Sequence, residues 1–214
     1  LSMEEAVKEC EQEVGAIQGV FHVAGKEGNG MLQTKSIQKA NEVLDPKVTA
    51  TLVLDQVFAN RTLDFFVVYS SMATVYGEAG QVDYISANSF LNSYILWAKE
   101  EYPQRKSISI NWDNWSDVGM AARAIEQQSN ISVFFQNGIS NSEAMKALED
   151  ILSSNESIVY VAVNEIAEHK KFLQDALEKL KNSLFLTTDG IKYQRPDLAE
   201  EYVEPRTEKE KEIA

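Results

Sequence analysis

Residues 63–70, LDFFVVYS, run almost without interruption through apolar side chains. A strand with one wet face alternates apolar and polar residues. A strand that is apolar throughout is covered on both faces, which is the mark of a parallel sheet lying between helices. The rest of the chain supplies partners for such a strand. GVFHVAG (residues 19–25) reads as a second buried strand ending in Gly, Ile108, Ile110 and Trp112 alternate as a third, and SIVYVAV (residues 157–163) reads as a fourth. Helical patterns separate them. The opening LSMEEAVKEC reads as helix. Residues 36–60 carry Ile37, Ala40, Val43 and Leu44 on one face, break at Pro46, and resume with Val48, Leu52, Val53, Val57 and Phe58. Residues 84–101 place Phe90, Leu91, Tyr94, Ile95 and Ala98 at helical spacing. Ser140 with Glu143 forms a capping box ahead of Met145, Leu148, Ile151 and Leu152, and residues 164–184 read as an amphipathic helix. Alternating strands and helices predict an α/β fold: a Rossmann-like parallel sheet with helices on both faces and right-handed crossovers.

Composition narrows the function. Twenty basic against 33 acidic residues give a formal charge of −13, which argues against nucleic acid and anionic membrane as partners. The single cysteine, Cys10, excludes an internal disulfide framework and fits a reducing cytoplasm. His22 and His169 stand far apart and make no metal pattern. No apolar stretch is long enough for a bilayer span. From residue 187 the chain turns polar, with Gly190, Pro196 and Pro205, and reads as a linker approaching another domain.

In an open α/β sheet, ligands sit beyond the carboxyl ends of the strands. Three such ends carry useful groups: Ala24-Gly25, Ser70-Ser71 and Trp112-Asp113-Asn114. A helix beginning near Tyr84 puts Tyr84 and Asn88 on one face. Lys47 precedes the same strand. Singly, these have plain readings: a turn serine, a half-buried aromatic, a surface amide and a solvated lysine. Together they suit carbonyl reduction. Hydride arriving at a ketone carbon leaves negative charge on the oxygen. Ser71 can hold that oxygen and Tyr84 can protonate it. A phenol has a pKa of about 10, and the Lys47 ammonium favours its ionised form. Such matching contributes roughly 10² to 10⁴ in rate. Asn88 can bridge to a water that resupplies the proton.

Lys47, Ser71, Tyr84 and Asn88 follow one another at intervals of 24, 13 and 4. Around them stand GVFHVAG, VLDPKV, DFFVVYSSMATVYGEAGQVDYISANSFLNSY and SINWDNWSDVGMA, and near the end RPDLAEEYVEPRTEKEKEIA. This pattern resembles the ketoreductase domain of modular polyketide synthases and of hybrid polyketide–nonribosomal peptide synthases, within the short-chain dehydrogenase/reductase superfamily. The resemblance runs from about Ala6 to Val163. It implies that Tyr84 is the catalytic tyrosine and Ser71 the carbonyl-binding serine. Lys47 and Asn88 complete the tetrad, in exchanged places relative to the wider superfamily. It implies that Ala24 and Gly25 pass the cofactor's ribose, and that Lys47, Tyr84 and Trp112 also face the cofactor. Residues 116–138 become a lid, of which 130–138 cover substrate. The implied reaction is NADPH-dependent reduction of a β-ketoacyl group on the phosphopantetheine arm of an acyl carrier protein, in the cytoplasm and without metal. Residues 1–186 are then the catalytic portion and 187–214 a linker into a carrier domain.

The sequence departs from the family in three places. The Gly-rich strand–turn–helix that holds pyrophosphate stands, in the family, ahead of the matching segment. The resemblance therefore implies that this chain is the C-terminal portion, without the first strands. On that expectation it is inactive alone, binds NADPH weakly, exposes apolar edge, and needs an upstream half and neighbouring synthase domains as partners. Gly25, Gly28 and Gly30 are spaced G-x-x-G-x-G rather than G-x-G-x-x-G and are not expected to bind pyrophosphate. Gly28-Asn29 replaces one stereochemical marker, an Asp pair, and Tyr76 replaces the other, a Trp, so the alcohol configuration stays open. Two alternatives also stand: a catalytically silent structural remnant, and an α-ketoacyl or epimerising reductase.

Overall fold

Phe66, Val67 and Val68 show why the apolar run becomes the centre of the sheet: successive strand residues point to opposite faces, and all three are fully buried. The computed structural model describes residues 2–28, 30–77, 80–120, 123, 138–167, 171, 174, 175, 178 and 179. The elements are α1 (Met3–Val14), β1 (Gly19–His22), a 3₁₀ turn at Leu32–Thr34, α2 (Ile37–Leu44), α3 (Val48–Phe58), β2 (Phe65–Ser71), α4 (Ala73–Tyr76), α5 (Val82–Glu101), β3 (Lys106–Trp112), α6 (Asn141–Ser153) and β4 (Ile158–Val161). The strands form one sheet in the order β1-β2-β3-β4, every pair parallel.

Two cores follow from the alternation. On one face Phe66 and Val68 pack with Val7 of α1, Leu54 and Phe58 of α3, and Leu91, Tyr94, Ile95 and Ala98 of α5. On the other, Val67, Ile108, Ile110 and Trp112 pack with Ala144 and Ile151 of α6. Helices therefore cover both faces. Capping boxes start two of them: Ser2 with Glu5 at α1, and Ser140 with Glu143 at α6. In each, the serine oxygen accepts the N3 amide and the glutamate accepts the serine amide, worth about 1 kcal/mol.

The structure corrects the sequence reading in three respects. β1 ends at His22, not Gly25, and is half-buried, with Phe21 43% exposed, because it lies at the edge of the described sheet. The break expected at Pro46 is present and parts α2 from α3, since proline has no amide to give. Helix α5 begins at Val82, two residues before Tyr84. The crossovers do not share one hand. α5 and α6 lie on opposite faces while the strand order keeps its direction, so the β2–α5–β3 and β3–α6–β4 units are of opposite hand. β3 does not feed α6 directly: the chain first passes through a parallel bridge between Trp115 and Ile139.

The chain divides into units at Leu1–Lys171 and Phe172–Ala214. In the second, four described residues are helical. Most of the helix expected over 164–184, and all of the linker expected over 187–214, lie outside the described residues. Among the described residues no helix is long and apolar enough to cross a membrane.

Leu91 is fully buried between α5 and the sheet. Leu91→Ala is expected to lower unfolding stability by about 2–5 kcal/mol. Leu96→Ala, on the outer face of the same helix at a residue 55% exposed, is expected to change it by under about 0.5 kcal/mol. Urea denaturation of both variants checks the assignment of the two helix faces.

Candidate active site

Parallel strands place all their carboxyl ends at one rim, and register decides which side chains meet there. Ser71 ends β2 directly opposite Trp112, which ends β3. β1 ends three residues earlier in the β2 register, with His22 opposite Val68, and releases Val23, Ala24 and Gly25 over the rim. Lys47 is the N-cap residue of α3, and Tyr84 lies in the first turn of α5. These groups surround a cavity of about 400 Å³. Gly25, Lys47, Ser71, Tyr84 and Trp112 all line it. Ala24 is exposed and is not among the lining residues; Asn88 lies beneath them, fully buried. Tyr69, Trp115, Val118 and Met120 add apolar and aromatic wall, and Arg123 adds a guanidinium. Apart from Arg123 and Gly138, the lid expected over 116–138 is described only at 116–120; its ends meet where Ile139 donates its amide to the Asn114 carbonyl at 2.7 Å.

Lys47 is the dominant charge. It is 4% exposed, and its Nζ donates to the Tyr69 carbonyl at 2.7 Å. Burial pulls its pKa down to about 8. It therefore stays mainly an ammonium at neutral pH. Gly25 accommodates it: a β-carbon there would stand 3.1 Å from Lys47 Cε. His22, also buried, is held below its ordinary pKa by burial and then by the Lys47 charge, so imidazole and ammonium are not two cations side by side.

Ser71 Oγ accepts the Ala73 amide at 3.1 Å, which orients the hydroxyl and leaves its own proton to donate. Asn88 Nδ2 donates to the Tyr84 carbonyl at 2.8 Å, while its Oδ1 is buried without a protein partner. Sequence reasoning missed the layer under these groups. Asn111 Oδ1 accepts from Ser70 Oγ at 2.8 Å, Thr74 Oγ1 at 3.1 Å and Asn92 Nδ2 at 3.0 Å. Ser70 also donates to the Asn88 carbonyl at 3.1 Å, and Ser109 to Asn92 Oδ1 at 2.7 Å. The signal was present: Ser107, Ser109 and Asn111 alternate with Ile108, Ile110 and Trp112 in a strand that a helix covers.

The residues fit the reacting end of a nicotinamide cofactor: a fixed ammonium, a glycine where a β-carbon would crowd it, and a buried Trp112 indole N–H without a protein partner. Among the described residues, the glycines after β1 do not form a pyrophosphate-binding turn. Gly25, Gly28 and Gly30 lead into a 3₁₀ turn of three residues, and Gly28 is buried against Asp83 and Tyr84. Among the described residues no three His, Cys, Asp or Glu side chains converge as a metal site.

Comparison with known proteins adds the following. The family described as "KR domain" matches residues 1–117. The chain is 28% identical over 177 residues to polyketide synthase PksM of Bacillus subtilis, covering 81% of this chain and 4% of that protein. It is 33% identical over 106 residues to 6-methylsalicylic acid synthase of Aspergillus terreus, covering 50% of this chain and 6% of that protein. The chain thus spans a few per cent of these relatives' length. Among solved structures, it is similar to an N-terminal ketoreductase from the macrolactin assembly line, with TM-score 0.62 and 29% identity over 73% of this chain and 30% of that one. A short-chain dehydrogenase/reductase from Brucella melitensis, 13% identical with TM-score 0.62 over 74% of this chain and 69% of that one, shares the fold.

The Lys47 environment yields a test on the chain itself. Its folded pKa, about 8, lies below the unfolded value of about 10.4. Between the two, the unfolded chain holds a proton that the folded chain lacks, so this group's contribution to stability rises with pH across that window. Lys47→Met removes the effect. At pH 7 the variant is expected to be no less stable than the parent in urea, and the difference is expected to shift in the parent's favour from pH 8 to 10. A pH-independent difference would contradict the assigned burial.

Proposed function

The chain belongs to the KR (ketoreductase) domain family of polyketide synthases, with the short-chain dehydrogenase/reductase fold, and we propose that its cavity reduces a β-ketoacyl thioester to the β-hydroxyacyl thioester. The observation that carries this reading is the convergence of Lys47, Ser71 and Tyr84 on one cavity from three separate elements, with Asn88 bonded to the Tyr84 backbone. In this reading the ketone oxygen accepts hydrogen bonds from the Ser71 hydroxyl and the Tyr84 phenol. Gly25, Lys47, Tyr84 and Trp112 would hold the reacting end of NADPH, which would supply a hydride for the carbonyl carbon. As charge develops on the oxygen, Tyr84 gives it the phenol proton. The Lys47 ammonium stabilises the phenolate that results. A water accepted by the unpartnered Asn88 Oδ1 returns the proton.

The apolar and aromatic wall suits an acyl chain, and the open rim suits a thioester delivered on a phosphopantetheine arm. An acyl carrier protein is therefore the proposed partner, with the neighbouring synthase domains. Among the described residues no Gly-rich turn leads into a long helix that could hold the pyrophosphate end of the cofactor. The intact tetrad favours an active reductase over a silent remnant, since a structural role would leave a buried lysine and an unpartnered buried amide without a use.

In the full synthase polypeptide, NADPH consumption with a β-ketoacyl thioester tests the reading. Tyr84→Phe is expected to lower kcat at least about 10³-fold, and Ser71→Ala about 10²-fold. Full activity in Tyr84→Phe, or no turnover in the parent, would overturn it.

A further inference from the structure

The reduction described above uses neither Lys35 nor Asp83, yet these two form the most deeply buried ion pair among the described residues. Lys35 Nζ lies 2.5 Å from Asp83 Oδ2, and both side chains are 3% exposed. Burying two charges is costly and adds little net stability over an apolar pair, so the arrangement calls for another explanation. Asp83 is adjacent to Tyr84 in sequence, and its second oxygen, Oδ1, accepts the Tyr84 amide at 2.9 Å. A helix begins with orphan amides, and the N-cap residue Gln81 offers α5 no side-chain acceptor. One carboxylate thus ties Lys35, which follows the 3₁₀ turn, to the backbone of Tyr84.

The loop after β1 closes on the same spot. A β-carbon on Gly28 would stand 2.7 Å from Tyr84 Cβ, 2.6 Å from Asp83 Oδ1 and 3.1 Å from Gln81 Oε1. No side chain fits there: the Gly28 backbone is itself the wall against Tyr84. Lys35 Nζ also reaches the Gly80 carbonyl at 3.5 Å, and a β-carbon on Gly80 would lie 3.6 Å from the Gly30 backbone. The loop is therefore seated on the first turn of α5 at several points.

We propose that Lys35, Asp83 and Gly28 are positioning residues that clamp this loop onto the start of α5 and thereby fix how Tyr84 enters the cavity. The inference rests on Tyr84 being the proton donor. It differs from a simple structural staple in what an apolar replacement achieves. Lys35→Met with Asp83→Leu removes both charges and should preserve stability, but it also removes the acceptor for the Tyr84 amide.

Two readouts decide. In the 214-residue chain, hydrogen exchange at the Tyr84 amide is expected to speed up at least about tenfold in the double variant, with the Ile95 amide unchanged. In the full synthase polypeptide, kcat is expected to fall about 10- to 100-fold with KM within about threefold, because a misplaced proton donor affects the chemical step rather than binding. Lys35→Arg, which keeps the pair, is expected to retain kcat within about threefold. If the double variant does not fold, Gly28→Ala leaves the charges in place and is expected to lower kcat in the same way. Unchanged Tyr84 exchange, or an unaltered kcat in a stable double variant, overturns the clamp. If the parent polypeptide shows no reduction, the proposed function fails, and amide exchange still decides whether the clamp holds Tyr84.

Discussion

The parallel pairing of β2 with β3 is the constraint on which the cavity stands. Seven residue pairs run from Phe65 opposite Lys106 to Ser71 opposite Trp112. A slip of one residue would turn Phe66 and Val68 away from α5 and carry Ser71 to the other face. The register is fixed because both faces of β2 are buried: Phe66 and Val68 belong to one core and Val67 to the other, so neither face tolerates exchange. The chemistry at the rim is thus set by packing in the middle of the sheet.

Buried charge is handled differently at the two ends of that sheet. At the amino end of β3, Arg105 is fully compensated. Its guanidinium lies 4.9 Å from the Phe66 ring centre and 4.0 Å from that of Tyr102, with Asp55 at 3.9 Å. At the carboxyl end, Lys47 has a carbonyl but, among the described residues, no carboxylate within ion-pair distance. A carboxylate there would stabilise the fold and cancel the field that a phenolate would feel. The lowered pKa is the physical sign of that unspent charge.

What could be read from the sequence follows the same division. The two-sided strand, the helix faces, the capping box at Ser140 and the spacing of Lys47, Ser71 and Tyr84 were legible, because periodicity and short-range signals carry them. Which strand forms the apolar edge that the family resemblance implied was not legible in the strand itself. GVFHVAG is as apolar as a buried strand, and only the sheet order shows that Phe21 faces solvent. Lys35 and Asp83 are 48 residues apart, and in the sequence each passes for a solvated charge. The common hand expected of the crossovers failed because that rule assumes a helix fed directly by its strand, whereas α6 begins only after the Trp115–Ile139 bridge.

The same residues explain how α5 can be both a packing element and a carrier of chemistry. Apolar burial through Leu91, Ile95 and Ala98 holds the helix to the sheet but is non-directional. It leaves small rotations about the helix axis nearly equal in energy. Hydrogen bonds are directional, and α5 makes them along its length: Asp83 with Lys35 at its start, Asn92 with Asn111 and Ser109 in its middle, and Tyr94 with Asp55 at 2.7 Å further on. These polar contacts lie on the buried side, where an unmet partner is expensive, so each rejects rotations that burial alone would allow. The apolar face fixes where the helix lies; the polar stripe fixes its rotation, and with it the direction in which Tyr84 and Asn88 are presented.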